Sequence, residues 1–220
     1  LFRSLNFVLN LVNNSLGAGT YTLITGGANT SAPGVGFTSN LPGLTRQTFT
    51  FERPASGNGQ CYVQLVVGGT AASLLWNGTN GSTWDAGTTV NWLNSGTADV
   101  FYNLDTVTFN DSSANGAVSL AAALQPASLL VDNNSLAYTF SGSGALTGAG
   151  PLTKSGGATL TIGTANNSYV GNINVTGGTL AVSSGANLGS GPLTIGNNAT
   201  LALPGSGSAV YLGNAVSVAA

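Results

Sequence analysis

The chain has 220 residues, of which 5% are charged and 42% hydrophobic, and its formal net charge is −2 at pH 7. An ordinary globular protein carries about 25% charged residues, so uncharged polar side chains must keep this chain in solution. The near-zero net charge excludes the polybasic surface of nucleic-acid-binding proteins, and the hydrophobic content excludes disorder of the low-hydrophobicity, high-charge type.

The sequence also lacks the residues on which much protein chemistry depends. It contains no histidine and one cysteine, Cys61, which excludes Ser-His-Asp and Cys-His catalysis, histidine metal sites and an intrachain disulfide. We expect Cys61 to be a small buried hydrophobe rather than a reactive thiol. Because methionine is absent and lysine and arginine total 4, the composition is more typical of an extracellular or cell-surface protein than of a cytosolic enzyme.

Neither a targeting segment nor a membrane span is indicated. No segment approaches a run of about 20 apolar residues, the length of a membrane-spanning helix. The apolar stretch at residues 1–12 is interrupted by Asn6 and Asn10, and it lacks a signal-peptide cleavage site. Because the first residue is Leu1 rather than Met, we expect the chain to be a mature or excised part of a longer protein.

Residues 1–72 are predicted to form a separate β portion. Apolar and polar residues alternate along several short runs, which is the pattern of half-buried strands. The alternating sets are Leu5, Phe7, Leu9 and Leu11; Tyr21 and Leu23; Phe49 and Phe51; and Cys61, Val63, Leu65 and Val67. The glycine-rich segment 26–36 is predicted to be a loop. A small sandwich and a set of irregular coils both fit this pattern.

Residues 73–117 are predicted to connect this portion to the rest of the chain. They contain all three tryptophans, Trp76, Trp84 and Trp92, at a regular spacing. Two interpretations fit that spacing: a platform on which sugar rings stack, or an apolar cap over one end of a β core. The cap is the favoured interpretation.

Residues 118–220 are predicted to form a parallel β-helix of about 20 residues per coil. Helix signals are nearly absent, and "VSLAAALQP" at 118–126 fits a strand better than a helix. Two interleaved sets of apolar residues recur with this common period. The first set is Leu120, Phe140, Leu160, Leu180 and Leu201, and the second is Val131, Leu152, Ile173 and Leu193. A fixed period of this length indicates coils whose inward side chains stack on one another, as in a solenoid.

Stacking of this kind explains the low charge. Successive coils lie about 4.8 Å apart, so a charge in one coil would meet a like charge in the next. Asparagine tolerates such stacking, because its side-chain amides can hydrogen-bond along the axis. Asn167, Asn187, Asn197 and Asn198 lie at turn-like positions, where an asparagine ladder and left-handed turn conformations fit the sequence equally well.

Residues 144–203 carry a longer sequence pattern. Its positions are Gly150, Leu152, Thr153, Lys154, Gly156, "TLTI" at 159–162, Asn167, Tyr169, Gly171 and "GGTLAV" at 177–182. This pattern resembles the autotransporter-associated β-strand repeat, although Ala158 stands where that repeat usually has glycine. The resemblance implies a right-handed parallel β-helix in a large secreted or surface-displayed bacterial protein. It implies no catalytic residues, because the motif is a structural one.

The acids that cluster in the sequence are Asp99, Asp105 and Asp111, at equal intervals. Converging carboxylates on a β-helix raise the alternative of a polysaccharide-degrading enzyme, but such sites usually need basic residues nearby, and the chain offers few. Calcium binding by the same carboxylates is a further alternative, and solvated turn residues are the favoured interpretation. We therefore predict no catalytic, cofactor-binding or metal-binding residues, and no enzymatic activity.

Two functional hypotheses remain. The short-looped, uncharged coils at 118–220 favour a structural subunit of an extracellular assembly, such as a fibre, sheath or surface layer. The alternative is an autotransporter-type adhesin that displays a β-helix to glycans or surfaces. Both ends of the sequence are apolar alternating runs, and two interpretations fit them. The favoured one is head-to-tail self-association, with residues 1–12 as a strand that inserts into the neighbouring subunit. The other is that the chain is a fragment whose missing flanks cover both ends.

Overall fold

The computed structural model describes residues 6–9, 16–26, 36–39, 41–52, 61–166, 168–203 and 210–219. Within these residues the chain is built from β-strands, with one short 3₁₀ helix at Gly185–Leu188. The prediction of an all-β fold is therefore confirmed.

The N-terminal portion consists of two small sheets. Its strands are β1 (Asn6–Leu9), β2 (Gly19–Gly26), β3 (Gly36–Ser39), β4 (Thr48–Glu52) and β5 (Cys61–Gly68). β5 lies between β2 and β4 in an antiparallel three-stranded sheet, and Val63, Leu65 and Val67 are its buried side chains. β1 and β3 form a separate parallel pair. Residues 27–35, most of the predicted loop, lie outside the described residues.

Two sheets form the main walls of the rest of the chain. The nine-stranded sheet contains β6 (Ser73–Trp76), β8 (Trp92–Asn94), β9 (Thr97–Asp99), β10 (Thr106–Asn110), β13 (Ser128–Asp132), β16 (Leu152–Ser155), β18 (Ile173–Val175), β20 (Leu193–Ile195) and β22 (Val216–Val218). The six-stranded sheet contains β7 (Thr83–Trp84), β11 (Ala117–Leu120), β14 (Tyr138–Ser141), β17 (Thr159–Ile162), β19 (Gly178–Val182) and β21 (Ala199–Ala202). A short third sheet contains β12 (Ala123–Leu124) and β15 (Ala145–Leu146).

These sheets are the sides of a parallel β-solenoid. It has about five turns at a spacing of about 22 residues. The predicted fold is therefore confirmed, with a period slightly longer than the predicted one. Residues 118–126, predicted to be extended rather than helical, contribute β11 and β12. Apolar side chains from all turns fill one continuous core between the walls.

The inward residues of the six-stranded sheet stack in two columns. The columns are Tyr138–Leu160–Leu180–Leu201 and Val118–Phe140–Ile162–Val182. The last three members of the first predicted set therefore stack as predicted, but Phe140 belongs to the second column and Leu120 pairs with Trp84. The coil from Tyr138 to its partner Leu160 is longer than the predicted period by two positions. A shift of two positions moves a side chain along its strand without turning it outward, so the inward orientation was predicted correctly even where the partner was wrong.

The nine-stranded sheet shows the same effect. Its columns are Leu129–Leu152–Ile173–Leu193–Val216 and Phe109–Val131–Lys154–Val175–Ile195–Val218. The predicted partners from Leu152 to Leu193 are confirmed. Val131, predicted to stack on Leu152, pairs with Lys154 instead, because that coil is also longer than the predicted period.

The solenoid begins upstream of residue 118. β10 pairs with β13 and β11 pairs with β14, so residues 73–117 supply the first coil. This coil is longer than the others, because it includes the hairpin β8–β9, which pairs antiparallel with β6 at the edge of the nine-stranded sheet. The predicted boundary between residues 117 and 118 falls inside β11.

Candidate association surface at the open end of the solenoid

The three tryptophans form the apolar core of the first coil. All are buried, and their ring centroids lie 5.0 Å apart for Trp76 and Trp92 and 5.2 Å apart for Trp84 and Trp92. Phe109 packs against all three, at 5.4 to 5.5 Å. Sugar stacking needs an exposed ring face, so these tryptophans do not form a sugar-binding platform. They fill the N-terminal end of the solenoid core.

One arginine joins the N-terminal portion to the first coil. Arg46 Nε lies 2.9 Å from Asp105 Oδ2, and Arg46 Nη2 lies 3.0 Å from Asp99 Oδ2. The guanidinium also donates to the Val100 carbonyl at 2.6 Å and lies 4.8 Å from the centroid of the Tyr102 ring. No local sequence pattern marks Arg46, because its partner Asp105 is distant from it along the chain.

Asp105 is fully buried at this junction, and both of its carboxylate oxygens are engaged. In addition to Arg46, Oδ1 accepts the Ala72 amide at 2.8 Å and Oδ2 accepts the Tyr102 amide at 2.9 Å. Burial raises the pKa of Asp105, against the lowering effect of the two amides and the guanidinium. Burial also acts on Asp99, but there the Val100 amide and Arg46 together hold the pKa below its ordinary value. The pair therefore anchors the junction and leaves Asp105 no free oxygen for proton transfer.

Asp111 occupies a different turn. Its carboxylate accepts the backbone amides of residues 134–136 in the next coil, at 2.9 to 3.1 Å. These hydrogen bonds lower the pKa of Asp111 to about 2. The structure thus brings together two of the three predicted acids, through an arginine, and separates the third. Among the residues that the structure describes, no three His, Cys, Asp or Glu side chains form a group that could hold a metal ion.

Lys154 is a cation inside the solenoid, and its burial was not predicted from the sequence. Its side chain is fully buried, and its Nζ donates to the carbonyls of Ser155 at 2.5 Å, Gly156 at 2.8 Å and Gly177 at 3.2 Å. These bonds tie the turn of one coil to the turn of the next. Burial lowers the pKa of Lys154, against the raising effect of two nearby aspartates. The available signal was the alternation of Leu152 with Lys154, which places both on the inward face.

Asparagine side chains link successive coils at the corners. Asn103 accepts the Gln125 amide on its Oδ1 at 2.8 Å, and its Nδ2 donates to the Gly43 carbonyl at 2.7 Å. Asn166 accepts the Leu146 amide at 2.8 Å, and its Nδ2 donates at 2.6 Å to a carbonyl one coil later. Each of these side chains therefore bonds to backbone on both of its sides along the solenoid axis.

The asparagines predicted to form a ladder behave in different ways. Asn187 is buried, donates to the Thr164 carbonyl at 2.8 Å and accepts the amides of residues 183–184. Asn197 and Asn198 form the turn before β21, and Asn167 lies outside the described residues. The corner contacts of the described coils run from side chain to backbone rather than from one side-chain amide to the next.

Among the strands that the structure describes, the last one in each wall of the solenoid has one edge that pairs with no other strand. β22 is the last strand of the nine-stranded sheet, and β21 is the last strand of the six-stranded sheet. Around this end Val216 is 48% exposed, Val218 72% and Tyr211 85%. Leu193 and Ile195 are the register partners of Val216 and Val218 in the preceding coil, and both are buried. Each earlier coil is covered by the one that follows it, and the last described coil is not.

Asn214 lies beside this uncovered edge. Its Nδ2 donates to the Gly191 carbonyl of the preceding coil at 2.6 Å. Its Oδ1 is shielded from solvent and has no hydrogen-bond partner among the described residues. Reversing the side-chain amide would place two oxygens together at Gly191, so the orientation is fixed by the hydrogen bond. We refer to Tyr211, Asn214, Val216 and Val218, with the free edges of β21 and β22, as the end surface.

Two further sequence predictions concern a membrane span and Cys61. Within the described ranges, no helix has the length and apolar content needed to cross a membrane. Cys61 is the first residue of β5, and its side chain lies outside the part of the structure that is described, so its burial stays a prediction.

Comparison with known protein families, curated proteins and solved structures finds no match to this chain.

Proposed function

We propose that this chain is a structural subunit or module of an extracellular bacterial assembly, such as a fibre, sheath or surface layer, in which β-solenoids associate head to tail. One observation carries the proposal: within the described chain, the end surface presents strand edges that pair with no strand and exposed apolar side chains, whereas the opposite end of the core is filled by buried aromatic rings. Natural proteins usually cover such edges. Because the two ends differ, contacts between them are heterologous and propagate into an open filament.

The composition supports the extracellular setting. Only 5% of the residues are charged and histidine is absent, a composition more typical of extracellular than of cytosolic proteins. The low charge also suits coils that stack on one another. The motif residues from Gly150 to Val182 resemble a repeat of large secreted bacterial proteins, and this resemblance is the ground for proposing a bacterial origin.

The geometry gives little support to the alternatives. A polysaccharide-degrading site would need accessible converging carboxylates, but Asp105 is buried against Arg46, and Asp111 is bound to backbone amides. An adhesin that binds glycans through tryptophan would need exposed indoles, and the three tryptophans are buried. We therefore propose a role that is neither enzymatic nor dependent on a glycan ligand.

The test is electron microscopy and light scattering of the purified chain over a range of concentrations. We expect filaments that form above a threshold concentration. Val218→Asp should prevent them, because an added subunit would bury a carboxylate, which cannot donate to turn carbonyls as Lys154 does. Thr139→Asp is the matched control, since Thr139 is exposed on a middle strand, and filaments should persist in it. A wild-type chain that stays monomeric at every concentration would refute head-to-tail assembly.

A further inference from the structure

The edge of β22 that faces away from β20 presents backbone groups that an added strand could pair with. The hydrogen bonds from Leu193 N to the Ala215 carbonyl and from Ala219 N to the Ile195 carbonyl show which residues face β20. In a parallel strand, alternate residues bond to opposite neighbours. The N–H and C=O groups of Val216 and Val218 therefore point away from β20, toward the position of an added strand.

The N-terminal portion contains a strand pair of the required kind. β1 and β3 are parallel and in register, and neither pairs with any other strand that the structure describes. An isolated two-stranded unit is at best marginally stable in water. It gains stability by joining a larger sheet, and the sheet that ends at β22 is parallel in the same way.

We infer that the β1–β3 pair of one copy adds as parallel strands to β22 of a second copy, whose outward-facing N–H and C=O groups it pairs. This inference rests on the proposed head-to-tail assembly and specifies its contact. It identifies the donor, residues 6–9 and 36–39, and the acceptor, the end surface.

The length of the chain favours a second copy over the molecule's own N-terminal portion. Gln47 Nε2 donates to the Leu16 carbonyl at 2.6 Å, and the adjacent Arg46 binds Asp105, just before β10. Leu16 is therefore held near the first coil. The position beyond β22 lies six strand spacings from β10, or about 29 Å at about 4.8 Å each. The segment from Leu9 to Leu16 spans at most about 25 Å, which is less than that distance.

The test pairs one donor-blocked with one acceptor-blocked variant of the full chain. Val8→Pro removes a backbone N–H from β1 and opposes its pairing, and Val218→Asp blocks the end surface. Each variant alone should remain monomeric, because each has lost one half of the contact. An equimolar mixture should form a 1:1 dimer and nothing larger, as measured by analytical ultracentrifugation, because it contains one intact donor and one intact acceptor. Circular dichroism and thermal melting check that both variants are folded, and deletion of residues 1–12 is the second donor-blocked variant.

The outcomes separate this inference from the proposed function. If the wild type forms filaments but the mixture stays monomeric, the assembly stands and the β1–β3 donor is wrong. The same conclusion holds if Val8→Pro and the deletion variant still polymerise. If Val218→Asp alone polymerises, β22 is not the acceptor. A wild type that never associates overturns the proposed function and this inference with it.

Discussion

The stacking of Leu160 in the solenoid core can be tested against Leu201 in the same column. Leu160 is fully buried, with Tyr138 on one side and Leu180 on the other. Leu201 is half-buried and has a described partner on one side alone, Leu180. Truncation of a fully buried leucine to alanine costs about 2–5 kcal/mol, because it loses transfer free energy and leaves a cavity. We expect Leu160→Ala to fall in the upper half of that range, and Leu201→Ala to cost about half as much.

Urea unfolding measures both free energies, at concentrations where the subunit is monomeric. Far-ultraviolet circular dichroism follows all coils, while tryptophan fluorescence follows the first coil, which contains all three tryptophans. The two probes should give the same midpoint if the solenoid unfolds in one step, and a split would show that coils unfold separately. Equal losses for Leu160→Ala and Leu201→Ala, or a loss below about 1 kcal/mol for Leu160→Ala, would contradict the stacked column.

The charged groups give three more expectations. Arg46→Gln leaves Asp105 buried without its cation and should lower the free energy of unfolding by about 3–5 kcal/mol. Asp99→Asn, at the more exposed partner, should lower it by about 1 kcal/mol or less. Equal losses in urea unfolding would contradict this difference. Asp111 should titrate by nuclear magnetic resonance near pH 2, against an ordinary value of 3.8. The stability it contributes is therefore complete above about pH 4 and lost as the pH falls through about 2, and Asp111→Asn should remove that dependence. Lys154→Met removes three hydrogen bonds to carbonyls and should lower stability at pH 7 by about 1–3 kcal/mol. Because the folded pKa of Lys154 lies below 10.5, the folded state releases its proton first, so the advantage of the wild type over Lys154→Met should grow as the pH rises toward 10.5; a shrinking advantage would refute this.

The inward faces of the solenoid were predictable from the sequence because strand periodicity is a local property. Leu160 and Leu180 were placed correctly, since the coil between them has the predicted length. The partner of Phe140 was not, because the length of a turn decides which residue stacks on which, and an even number of added turn residues leaves the alternation intact. Pattern alone does not count the residues that a turn absorbs.

The junction and the end surface required the folded structure for a different reason. Arg46 and Asp105 are distant in sequence, and no local pattern marks an ion pair at that separation. The apolar alternation of Val216 and Val218 was visible in the sequence, but their exposure follows from the absence of a covering strand in the described chain.

Stacking also constrains which strand can join the end surface. Lys154 is accommodated in its column because its register neighbours, Val131 and Val175, are uncharged and its Nζ leaves the column for carbonyls at the turn. The same column ends at Val218, so an incoming strand must place over that valine either an uncharged residue or, as at Lys154, a charge that leaves the column for carbonyls at the turn. The sequences of β1, "NFVL", and β3, "GFTS", contain no charged residue, and both strands meet this requirement.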